Sequence, residues 1–106
     1  GFSVFFFDAK YGPDNFTLGG YGGSLGYANY KKSGETSQAG VSGGYIGIGI
    51  DEFGNYSSTS DGKNGGPGFT PNAVVLRGPT PSASPPPNRT LPSPTSHDMG
   101  VRLWLV

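Results

Sequence analysis

The 106 residues contain no cysteine, so neither a disulfide framework nor a thiolate metal site can form. Histidine is nearly absent too: His97 stands alone, and with no second histidine and no cysteine a zinc site has no ligand set. Charge is scarce and balanced, with seven basic and seven acidic residues. Zero net charge gives no electrostatic reason to expect nucleic acid or an anionic membrane as partner. No apolar run reaches the length of about 18 residues that a membrane-spanning helix needs. No stretch sustains a helical period of apolar residues. Large apolar residues are few as well: hydrophobic types make up 33% of the chain, so the core must be thin, and aromatics, at 13%, supply much of it.

Glycine and proline are abundant, 20 and 10 residues. Much of the glycine alternates with large apolar residues, a pattern of tight strands and turns and not of a featureless repeat. "FSVFFFDA" predicts a strand ended by the breaker "YGPDN". Phe2, Val4 and Phe6 share one face and Ser3, Phe5 and Phe7 the other. Aromatics on both faces predict a central strand. A second strand is expected near residues 25–30. "GGYIGIGID" predicts a third, with Ile46, Ile48 and Ile50 on one face and only Gly47 and Gly49 on the other. Bare glycine in a strand marks a place where another backbone or a ligand approaches closely. "AVVLRG" predicts a further strand that stops at Gly78-Pro79.

Composition then changes abruptly. Seven prolines fall in residues 79–94, so residues 79–96 read as an extended Pro/Ser-rich linker. Residues 97–106 form a short C-terminal segment whose "VRLWLV" suits a strand. The fold class is all-β. Four or five strands in residues 1–78 supply half a sandwich better than a whole one, since whole sandwiches commonly run to about 200 residues. The chain opens inside a strand and reads as a piece of a longer protein, with any targeting signal upstream. Missing strands or a partner chain are expected to cover the Phe and Ile face, and the isolated piece is expected to self-associate through it.

Two stretches carry chemistry. "GGYGGSLGY" lacks the Gly-Lys-Ser/Thr and the following helix of a phosphate loop. It reads as a tight β-loop whose glycines let a ligand reach backbone N–H groups. "IDEFGN" ends a strand with Asp51, Glu52 and Asn55 close together. Such spacing is common turn chemistry, in which Asp and Asn cap their own backbone. It also offers oxygens to calcium, which takes about six to eight. Asp51, the Phe53 carbonyl, Asn55 and Asp61 form the candidate set. Asp51 and Glu52 are adjacent and face opposite sides of a strand, so they cannot flank one glycosidic bond.

The order "GFSVFFFD", then "GGSLGY", then "IGIGIDEFGN", then "NAVVLRG" resembles the legume-type lectin domain, in particular its bacterial lectin-like relatives, over residues 1–78. The resemblance implies an antiparallel jelly-roll sandwich of concanavalin A-like type, incomplete in these residues. It implies glycan or polysaccharide binding without catalysis, assisted by calcium, in a secreted or cell-surface protein. It places Asp51, Phe53 and Asn55 as calcium ligands, with Asp61 near the later metal-binding aspartate across a loop one residue longer. Gly22 and Gly23, with Asn55, are the implied sugar contacts. The transition-metal glutamate of the family aligns with Gly49, so that half of the metal site is expected to be missing. The family's sugar-binding aspartate would stand just before Gly1.

Other residues carry plainer readings. Ser24 is not in a nucleophile elbow and has no triad histidine beside it. Asp8 and Asp14 are loop carboxylates that nothing selects. Tyr21, Tyr27 and Tyr45 suit core packing more than sugar stacking. Asn15, Asn55 and Asn88 each head a formal glycosylation sequon. The alternative to a lectin is a structural or adhesive β-domain that keeps the fold without the sugar site.

Overall fold

The computed structural model describes residues 1–11 and 14–80 and, as backbone, residues 101–104. They contain one antiparallel sheet of four strands in the order β1-β2-β3-β4. These are β1 (Phe2–Phe7), β2 (Gly44–Asp51), β3 (Ala73–Arg77) and β4 (Val101–Trp104). Among the described residues the fold is all-β, with only three-residue 3-10 turns besides the strands.

Register fixes two faces. Phe2, Val4 and Phe6 lie opposite Ile50, Ile48 and Ile46, and Ile48 and Ile50 lie opposite Leu76 and Val74. This row of apolar side chains is uncovered: Phe2, Val4 and Phe6 are 57, 50 and 59% exposed. Ser3, Phe5 and Phe7 with Gly47, Gly49, Ala73, Val75 and Arg77 form the other face, which is covered. Among the described residues, what covers it is not a second sheet but the protein's own loops. The ring of Tyr27 lies against Gly47 and the ring of Tyr56 against Gly49, so closely that a methyl group on either glycine would overlap the ring. Both tyrosines are buried, with Val41, Ala73 and Val75 around them. The close approach expected at these glycines is thus made by aromatic side chains from within the chain.

Polar ties hold the loop layer down. The Tyr27 hydroxyl donates to the Gly78 carbonyl at 2.7 Å. Arg77, 2% exposed, reaches up from β3. Its guanidinium donates to the carbonyls of Tyr56 (2.8 Å), Asn64 (2.9 Å) and Ser58 (3.0 Å) and lies 5.3 Å from the Tyr56 ring centroid. A buried arginine without acceptors would be costly; here it organises the loop 56–66 instead. Thr80 docks as well, its Oγ1 donating to the Val41 carbonyl at 2.6 Å.

Two expectations are corrected. Among the described residues β1 is an edge strand, not a central one. Its two aromatic faces arise because one packs on Phe16 and Tyr27 of the loop layer and the other is left open. Residues 25–30 are not a strand: Leu25 and Gly26 have positive φ (50° and 75°), which turns the chain, and only a single bridge pairs Tyr30 with Gln38. β4 lies within the C-terminal segment 97–106. Residues 81–96 of the proposed linker, His97 and Asn88 lie outside the described residues.

Candidate functional site

The glycine loop closes on itself through its backbone. Gly19 N–H donates to the Gly26 carbonyl (2.7 Å), Gly26 N–H to Gly20 (2.8 Å) and Gly20 N–H to Ala28 (2.8 Å). At its tip Gly22–Ser24 forms a 3-10 turn, entered through Gly22 at φ 58°. The first N–H groups of such a turn have no partner inside it. Ser24 is buried and spent on structure, its Oγ donating to the Asn29 carbonyl at 2.8 Å.

The acidic end of β2 is built with equal economy. Period-two alternation turns Asp51 inward, 2% exposed, and leaves Glu52 outside. Asp51 Oδ2 accepts the Tyr56 N–H at 2.7 Å, while Oδ1 lies on the side of Gly1. Gly54, at φ 105°, lets the chain turn against Pro71. The Asn55 carbonyl accepts the N–H and the hydroxyl of Ser58. Phe53 stays 66% exposed, edge-on to Phe69 at 5.4 Å.

These two stretches meet. The Asn55 side chain lies directly against Gly23, where a methyl group would fall within 2.8 Å of Asn55 Oδ1. Gly22, Gly23, Asp51, Phe53 and Asn55 together line a groove of about 800 Å³, with Phe2 and Phe5 of β1 also on its lining. The structure therefore brings together five of the six residues singled out in the sequence.

Asp61 is the sixth, and it does not line this groove. It sits in the 3-10 turn Ser60–Gly62 at φ 58°, and its carbonyl accepts Lys31 N–H at 2.6 Å. Its carboxylate is 3.7 Å from the ammonium of Lys63, whose side chain is wholly buried. Among the described residues, no three His, Asp or Glu side chains converge as a metal-binding group.

A second cluster went unread in the sequence. Glu35 Oε2 accepts the hydroxyls of Tyr21 (2.5 Å) and Tyr30 (2.6 Å), and the two rings pack at 4.6 Å. Tyr21 adjoins the groove loop yet is 61% exposed, while Tyr27 is the buried one and Tyr45 is also exposed. No spacing rule links a glutamate to tyrosines 14 and 5 residues away across a loop. The Tyr21 and Tyr30 hydroxyls hold the Glu35 carboxyl below its usual range, and Glu35 pushes the Tyr30 hydroxyl up. A depressed carboxyl stabilises the fold above its unfolded value and loses that contribution as pH falls through the folded value. Acidification below about pH 4 is therefore expected to loosen the tyrosine pair. The near-ultraviolet circular dichroism of tyrosine should change there without global unfolding, and Glu35→Gln should remove the acid step. An identical step in both proteins would assign it elsewhere.

Comparison with protein families, with curated proteins and with solved structures finds no match to this chain.

Proposed function

We propose that this chain is a lectin-like glycan-binding module, non-catalytic, from a secreted or cell-surface protein, built on part of a jelly-roll sandwich of concanavalin A-like type, of which these residues supply one sheet. The observation that carries the reading is the meeting of the Gly22–Ser24 turn and the residue 51–55 turn on one groove. Sugars present hydroxyls and apolar C–H faces together. Backbone N–H groups at Gly22 and Gly23 and the Asn55 amide suit the hydroxyls, and Phe2 and Phe53 suit the apolar faces. The carboxylates support binding without hydrolysis, because Glu52 faces away from Asp51 and leaves no pair to flank a glycosidic bond.

Calcium is part of the proposal. Asp51, Phe53 and Asn55 all line the groove, and a carboxylate, a main-chain carbonyl and a side-chain amide are oxygen donors of the type calcium takes. With one carboxylate among them they fit a weak site that draws heavily on water, and Asp61 would be the second carboxylate. The ion would supply positive charge that fixes these turns. The protein's own part is to orient Asn55 against Gly23 and to hold Asp51 through Tyr56 N–H.

The uncovered Phe and Ile face favours the alternative, an adhesive β-domain without sugar binding. A glycan microarray probed in calcium and in chelator separates the two. The proposal expects retention on at least one glycan class, loss in Asn55→Ala and in Gly23→Val, and no loss in Glu52→Ala. Retention by none, or undiminished retention by Asn55→Ala, would refute it.

A further inference from the structure

Lys63 is the one lysine whose side chain is completely buried among the described ion pairs. It lies in "SDGKNGG", a loop with every opportunity to send a lysine into water. Lysine is almost never fully buried unless paired. Its ammonium lies 3.7 Å from Asp61 Oδ2 and 3.4 Å from Ser60 Oγ, a sparse set of partners. Burial lowers its proton affinity; Asp61 and, more weakly, Asp51 oppose that, while the neighbouring Arg77 adds to it. The carboxylate it meets is that of Asp61, carried by the same turn. An ammonium is a compact point charge with three donors. It can balance carboxylates where a metal ion would otherwise be needed.

We propose that the Lys63 ammonium is the resident cation of Asp61, and that a divalent cation can recruit Asp61 only by expelling it. Two features of the chain agree. Asp61 is turned to Lys63 and away from the groove. Lys63 follows Asp61 by two residues, so one turn delivers both the carboxylate and its cation. Folding then does not require a metal, and calcium affinity is set by competition with a tethered ammonium. The inference does not depend on a glycan being bound.

The test is thermal unfolding of the whole chain across a calcium titration and in chelator. Ligand that binds only the folded state raises the melting temperature by mass action. In the wild type the rise should need high calcium. In Lys63→Met the melting temperature in chelator should fall, and calcium should restore it at a concentration lower by about tenfold or more. The same calcium dependence in both proteins, or none in either, would overturn the proposal. A second arm works even if Lys63→Met does not fold. Asp61→Asn should lower the melting temperature in chelator, because it strands a buried ammonium. An Asp61→Asn variant that is destabilised only when calcium is present would make Asp61 a metal ligand first and overturn the resident role of Lys63.

Discussion

Replacing Gly49 with valine is expected to abolish cooperative folding. Gly49 sits in the middle of β2, paired with Ser3 on one side and Val75 on the other, so its backbone cannot shift without disturbing both ladders. The space a side chain would enter is held by the Tyr56 ring. That ring cannot retreat either. Tyr56 is fully buried, its N–H is bound by Asp51 and its carbonyl by Arg77. Overpacking alone costs about 1–3 kcal/mol, and expelling a large aromatic from a core costs about 3–5 kcal/mol. A small domain holds only about 5–15 kcal/mol in total. Gly47→Val should act likewise through Tyr27. Thermal melts followed by circular dichroism decide the matter. A compensating variant, Gly49→Val with Tyr56→Ala, should recover more stability than the two single changes would sum to, since contacting residues couple. A Gly49→Val protein that melts like the wild type would show that Tyr56 does not sit over this glycine.

The second large effect is expected in assembly. The open face presents Phe2, Val4, Phe6 and Ile50, exposed by 57, 50, 59 and 37%, with Ile46, Ile48, Val74 and Leu76 half-buried between them. That is on the order of 500 Å² of continuous apolar surface, at the upper end of what a monomer exposes and approaching the roughly 800 Å² each partner contributes to a standard interface. No charged residue of β1, β2 or β3 interrupts it, because Asp51 and Arg77 belong to the covered face. The isolated chain should therefore pair with a second copy, face to face. Sedimentation should show mass rising with concentration, and Val4→Lys with Ile48→Glu should return a monomer while leaving the loop layer intact. A wild-type chain that stays monomeric at high concentration would sink this expectation.

Much of this was legible in the residues, and the failures have physical causes. Period-two alternation places Ile46, Ile48 and Ile50 together and separates Asp51 from Glu52, because strand geometry allows nothing else. The same rule made β1 look central. Alternation reports that both faces meet apolar surroundings or none; it does not report whether a neighbouring strand exists. Gly47 and Gly49 announced a close approach but not its author: Tyr27 and Tyr56 arrive from flanking loops, and no local pattern pairs a glycine with a ring 20 residues earlier or 7 later. At the site, the two turns that meet at Gly23 and Asn55 were found from the order of short motifs. The pairing of Asp61 with Lys63 was missed. The spacing of carboxylates shows what they could ligate, not which cation of the same chain already meets them.

The way the tyrosines fill the glycine gaps has a consequence in time. β1 and β2 are adjacent in the sheet but separated by residues 8–43, and β2 and β3 by residues 52–72; neither pair is a tight hairpin. Each strand pair encloses, on its covered side, a ring carried by the segment that joins or follows it. The ladder and the loop layer must therefore assemble together, since a sheet formed first has hollow positions at Gly47 and Gly49 and a loop layer formed first has nothing to rest on. Contacts so distant in sequence form slowly, in milliseconds to seconds for β proteins of this kind and not in microseconds. Throughout that interval the bare apolar edge of β1 is available to any other strand, and the rate at which Tyr27 and Tyr56 dock sets how long the nascent chain stays open to mispairing.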